Sequence, residues 1–79
     1  MFRVQTDHSL DALLPHISKA VKTEAGAINT AHKFMQDNPQ DGVLVVTDAL
    51  HEAMVFVVRD ADLTGGDVKE FSPNEWEAM

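Results

Sequence analysis

Cysteine is absent from this 79-residue chain. Without thiols the chain forms neither a disulfide nor a thiolate zinc site, and a reducing cytosol is the expected compartment. No apolar run approaches the roughly 20 residues that cross a bilayer. The N-terminus also lacks the basic-then-apolar pattern of a secretion signal. We therefore expect a cytoplasmic protein without membrane contact, folded as a single domain over residues 1–79.

Positive charge is also scarce, since 6 Lys and Arg face 13 Asp and Glu for a net charge of −7. Nucleic-acid binders concentrate cations on one face, so this balance argues against direct nucleic-acid binding. Residues 60–79 contain six acids against one base and so carry −5 of the −7. A soluble acidic surface explains such a tail, and a basic protein partner or mimicry of nucleic acid is the alternative.

The residue patterns of an active site are missing as well. There is no G-x-S-x-G nucleophile elbow and no H-x-x-x-H pair among the four histidines. The segment Asp60-Ala-Asp-Leu-Thr-Gly65 partly resembles the start of an EF-hand calcium loop. Phe71, however, occupies the twelfth position, where that loop needs Glu, so an acidic turn is favoured over calcium binding. We expect a protein that is not an enzyme and holds neither metal nor cofactor.

What the sequence does contain is a predicted β-hairpin over Gly42–Arg59. Two apolar runs, Val43–Val46 and Met54–Val58, flank a polar break. Both runs are apolar at every position, so each strand presents hydrophobic side chains to both faces of a sheet. Both faces of this sheet therefore need cover.

The N-terminal half predicts a strand and a helix. Phe2-Arg-Val-Gln5 alternates apolar and polar residues, the pattern of an edge strand with one buried face. Apolar residues then recur at helical spacing, which predicts one long helix from about Leu10 to Asp37, kinked at Pro15. Thr23 is a possible second N-cap, and it leaves open a helix that begins at Glu24.

The C-terminal segment predicts a short strand over Val68 to Phe71 and then a helical turn. Ser72-Pro-Asn-Glu75 has the pattern of a capping box, and Trp76 follows it. The predicted fold is α+β, a small β-α-β-β sheet of three to four strands with one long helix on one face and a short C-terminal helical turn.

The predicted topology leaves one sheet face poorly covered. A crossover through the helix makes the first two strands parallel and places the second hairpin strand in the middle. The helix then covers the face with Met54, Phe56 and Val58, and only the C-terminal segment covers the other. That second face, bordered by the acidic tail, is the predicted interface with a partner or a second copy. It comprises Val43, Val45, Val55, Val57, Asp60, Asp62, Asp67, Glu70 and Trp76.

The order of elements resembles a known group of proteins. A helix such as Thr23–Met35, followed by GVLVV at 42–46 and MVFVV at 54–58, resembles the layout of several small phage-encoded anti-CRISPR proteins. The small acidic format is also similar to uracil-DNA glycosylase inhibitors. The resemblance implies a non-enzymatic inhibitor that occupies a surface of a larger protein or nucleoprotein complex in a host cytoplasm. A homodimeric structural or regulatory α+β domain of unknown ligand is the alternative, and a metal- or nucleotide-binding module is a third.

Overall fold

The computed structural model describes residues 1–7 and 13–79 and has an α+β architecture. Five described strands form one antiparallel sheet in the order β2-β1-β3-β4-β5. The predicted class, main helix and short C-terminal helix are confirmed, whereas three to four strands had been expected. The elements are β1 (Phe2–Asp7), β2 (Ser18–Val21), α1 (Glu24–Asp37), β3 (Gly42–Thr47), β4 (Ala53–Arg59), β5 (Val68–Phe71) and α2 (Pro73–Glu77). None of the described helices is long and apolar enough to span a bilayer.

Over residues 13–23 the prediction of a long helix is wrong, because Ser18–Val21 form β2 and α1 begins at Glu24. Pro15 lies before β2 and so kinks no helix, and Leu10 lies outside the described residues. The Thr23 hydroxyl accepts the Gly26 N–H at 3.0 Å, which confirms the alternative start of the helix. A spacing of four residues, as between Ile17 and Val21, fits a strand face as well as a helix face.

The predicted strand order is also wrong. β1 is an inner strand, because β2 pairs with one side of it and β3 with the other, both antiparallel. The crossover through α1 therefore connects β2 to β3, which are parallel to each other with β1 between them. β3, rather than the second hairpin strand, is the middle strand, and all six of its residues are buried.

The hairpin is confirmed, but the assignment of β4 side chains to the two faces is wrong. Val43 lies opposite Val58 and Val45 lies opposite Phe56, so these four side chains share a face. Because the runs Val43–Val46 and Met54–Val58 are apolar at every position, their pattern could not show which side chains face α1 and which face the other side of the sheet. The register is set by the connecting residues 48–52 and by an irregularity between Val46 and Thr47.

Two hydrophobic clusters lie on opposite sides of the sheet. The larger one packs α1 against the sheet, and its buried members are Val4, Leu14, Ala27, Ala31, Met35, Leu44, Val46 and Val57. The smaller one lies under α2, and its buried members are Val43, Val45, Phe56 and Val58. Both faces of the hairpin are therefore covered by the chain itself.

Candidate functional site

The valines of the predicted interface do not form one exposed face, because they are divided between the two cores. Val43 and Val57 are fully buried on opposite faces, and Val45 is 7% exposed. The half-buried Trp76 ring stacks on Phe56 at a centroid distance of 5.3 Å. Phe71 adds a tilted contact with Trp76 at 6.0 Å. The C-terminal segment thus seals the face that was expected to need a partner, which removes the main argument for a homodimer.

The acidic loop after β4 is held together by its own side chains. The Asp60 carboxylate accepts the backbone N–H groups of Asp62 and Leu63, both at 2.9 Å. The buried Thr64 hydroxyl accepts the Asp60 N–H at 3.0 Å and donates to the Asp67 carbonyl. Among the residues the structure describes, no three His, Asp or Glu side chains are grouped to hold a metal ion. The loop is therefore an acidic turn in which the carboxylate of Asp60 accepts backbone hydrogen bonds.

Strand register gathers this loop and other acids at one end of the sheet. Asp7 lies opposite Val43, while Gly42 and Val68 flank Arg59 on either side. The end of β1, the starts of β3 and β5, and the end of β4 therefore adjoin. We call this region the acidic end, and its carboxylates belong to Asp7, Asp37, Asp41, Asp60, Asp62 and Asp67.

The one arginine at the acidic end is engaged in capping α1. The Arg59 guanidinium donates to the carbonyl oxygens of Met35 at 2.9 Å and Asn38 at 3.1 Å. These bonds satisfy carbonyls that the helix leaves without partners and hold the C-terminus of α1, with Asp37, against the end of β4. The six carboxylates outnumber Arg59, whose guanidinium donates to main-chain carbonyls, so the acidic end has a negative net charge.

The other two predicted interface residues lie elsewhere. Glu70 is on the α1 side of β5, where its carboxylate is 2.7 Å from the His32 ring nitrogen. Trp76 is on the opposite sheet face, in α2. Asp60, Asp62 and Asp67 do come together, whereas Asp7, Asp37 and Asp41 were missed. The signal for these three is that each lies at or next to the end of an element, and it is informative only once the topology is known.

The predicted capping box of α2 is confirmed. The Ser72 hydroxyl accepts the Glu75 N–H, and the Glu75 carboxylate accepts the Ser72 N–H, both at 3.1 Å. Hydrogen bonds from the Ser72 backbone and then its side chain lower the pKa of Glu75 below its ordinary value. This reciprocal cap fixes the helix that carries Trp76 over the smaller core.

No family model, no curated protein and no solved structure matches the chain. The geometry of the described residues therefore supplies the support for a function. Within residues 1–7 and 13–79 it offers an acidic surface at the end of a sheet and no group of three side chains placed to hold a metal ion.

Proposed function

We propose that the protein is a non-enzymatic binding protein whose acidic end occupies a basic surface of a larger protein or nucleoprotein complex, as small phage-encoded inhibitors do. The observation that carries this proposal is the convergence of six carboxylates from separate chain segments at one end of the sheet. Sequence position alone scatters them between residues 7 and 67.

The positions of these carboxylates on regular elements and a hydrogen-bonded loop suit recognition of a protein surface. Asp7, Asp37 and Asp41 lie at or next to the ends of regular elements, and the Asp60 loop is closed by the hydrogen bonds of Thr64. Charges held on a rigid frame lose little conformational entropy on binding. The net charge of −7 adds long-range attraction toward a basic partner.

Charge neutralisation at the acidic end tests the proposal. The variant Asp62→Asn/Asp67→Asn removes two exposed carboxylates and leaves Asp60 to close the turn. The matched control, Glu52→Gln/Glu77→Gln, removes two exposed carboxylates that lie outside the acidic end. Each protein is immobilised, a host lysate is passed over it, and the retained proteins are identified by mass spectrometry.

We expect a basic protein that the wild type and the control retain and the Asp variant loses. With that protein purified, the Asp variant should bind about tenfold more weakly, and added salt should slow association with the wild type. Equal loss of binding by the two variants would show that net charge, and not the acidic end, accounts for the binding, and retention by both at the wild-type level would contradict the proposal.

A further inference from the structure

The strand β2 is an edge of the sheet whose outer side pairs with no strand among the described residues. The Thr6 N–H donates to the Ile17 carbonyl at 3.0 Å, which fixes the phase of the pairing with β1. Because hydrogen-bonding direction alternates along an antiparallel strand, the backbone groups of Ser18 and Ala20 face away from β1. Two residues of the edge thus present N–H and C=O groups to an incoming strand.

A groove of about 390 Å³ runs beside this edge, between β2 and one side of α1. Its volume lies within the range of ligand pockets, which starts near ~300 Å³. The half-buried side chains of Ile17 and Phe34 supply its apolar surface. The α1 residues that line it, Thr30, Lys33, Phe34 and Asp37, follow helical spacing and share one side of the helix.

The groove carries positive charge in a protein that is otherwise acidic. Lys19 and Lys33 line it, and Asp37 is the one carboxylate in the lining. Neither lysine makes an ion pair or side-chain hydrogen bond within the part of the chain that the structure describes. Two of the six Lys and Arg residues are thus available at one groove.

We propose that β2 and this groove bind an extended segment of a partner protein as an added antiparallel strand. Main-chain hydrogen bonds to Ser18 and Ala20 supply affinity, and alternate side chains enter the groove. The segment carries an apolar residue that packs on Ile17 and Phe34, and an acidic residue two positions away that pairs with Lys19 or Lys33. The spacing of two follows from the strand period, because only alternate residues face the groove.

A second copy of this chain fits the groove less well. Two β2 strands side by side would bring Lys19 of one copy near Lys19 of the other, and lysine on an edge strand discourages such pairing. An acidic extended segment carries negative charge, which complements the two lysines of the groove. This site shares Asp37 with the acidic end but none of its other carboxylates, and it does not depend on the function proposed for the acidic end.

The test uses the full chain and the peptide acetyl-Gly-Ser-Thr-Ile-Thr-Glu-Thr-Ser-Gly-amide, in which Ile and Glu are two residues apart. Binding is followed by amide chemical shifts and by hydrogen exchange. We expect shifts at Ile17 and Lys19, and slower exchange of the Ser18 and Ala20 amides. A peptide of the same composition with Glu next to Ile should bind at least about fivefold more weakly, because the two side chains then face opposite ways.

Two pairs of variants separate the proposed site from general effects. Ala20→Pro removes a backbone N–H from the open edge, where proline is tolerated, and should weaken binding at least about tenfold. Its control, Ala49→Pro, places proline at the second position of the turn after β3, where proline is favoured. Lys33→Glu should weaken binding severalfold, whereas Lys69→Glu, on the other edge strand, should leave it unchanged within about twofold.

The proposal is overturned if the peptide shows no binding at about 1 mM, or if its shifts fall outside β2 and α1. Equal binding by Ala20→Pro and Ala49→Pro, both shown to be folded by circular dichroism, also overturns it. The proposal is also overturned if the wild type is a dimer in solution and Ala20→Pro is a monomer, because a second copy of the chain would then occupy the edge. Asp62→Asn/Asp67→Asn should bind the peptide as tightly as the wild type does. Peptide binding therefore tests the proposal for β2 independently of the function proposed for the acidic end.

Discussion

Gly42 shows how a single residue joins a loop to the core. It is buried at the start of β3, and a Cβ placed on it would lie 2.6 Å from the Cβ of Leu14 and 3.0 Å from its Cδ2. Leu14 is itself buried in the larger core, and its backbone N–H donates to the Asp41 carbonyl at 3.2 Å. The absence of a side chain at position 42 is what lets the segment before β2 pack against the sheet.

Gly42→Ala should therefore lower the free energy of unfolding by about 1–3 kcal/mol, the usual cost of overpacking a core. Urea denaturation of the wild type and variant measures this loss. Leu14→Gly removes the obstructing Cβ together with the rest of the side chain, so Gly42→Ala should cost less in that background than in the wild type. Equal costs in the two backgrounds would mean that the Leu14 contact is not the source of the effect.

At the scale of elements, α2 is the smallest unit with a defined task. It has five residues and none of them is buried, so its own packing is slight. Its position depends on the Ser72–Glu75 capping box and on the contact of Trp76 with Phe56. A helix this short is not stable alone, which makes the cap decisive for covering the smaller core.

The docking of α2 should weaken in acid. The pKa of Glu75 is lowered in the folded state, so the carboxylate's contribution to stability is present above its ordinary pKa. That contribution is lost as the pH falls below the ordinary pKa of a glutamate and through the lowered value. Fluorescence of Trp76, the single tryptophan, should report the release of α2.

The variant Glu75→Gln is the control for this transition. Glutamine keeps an oxygen that accepts the Ser72 N–H but does not titrate. In this variant the part of the acid-dependent fluorescence change that belongs to the cap should disappear. An unchanged fluorescence transition in Glu75→Gln would assign the acid sensitivity to other carboxylates.

For the whole molecule, the main consequence of the fold is that both faces of the hairpin are covered within one chain. The larger core lies under α1 and the smaller one under α2. Repulsion between chains of net charge −7 acts against self-association as well. No further copy is needed to bury Val43, Val45, Phe56 and Val58.

We therefore expect light scattering to give the mass of one chain. Deletion of residues 72–79 removes α2 and exposes the smaller core, so the shortened chain should aggregate or unfold. Trp76→Phe, which keeps an aromatic ring over Phe56, should remain monomeric and folded. A shortened chain that stays folded as a monomer would show that α2 is dispensable as a cover.

Features that depend on neighbouring residues were predictable from the sequence. The hairpin over Gly42–Arg59 follows from two apolar runs around a polar break, and the strand at Val68 to Phe71 and the capping box at Ser72 follow from local patterns. Thr23 marked the start of α1 by the same kind of evidence. Each of these signals depends on residues that are close in the sequence and not on which distant segments pack against them.

Only the tertiary structure decided the features that depend on pairing partners. Ile17 and Val21 suit a helix or a strand equally, and pairing with β1 selects the strand. A run that is apolar at every position does not indicate which residues point to which face of the sheet. The connecting turn therefore decided which valines face α1. The acidic end and the groove beside β2 arise where distant segments meet, because strand order and register bring their ends and edges together. A linear pattern records the composition of each segment, but it does not record which segments become neighbours.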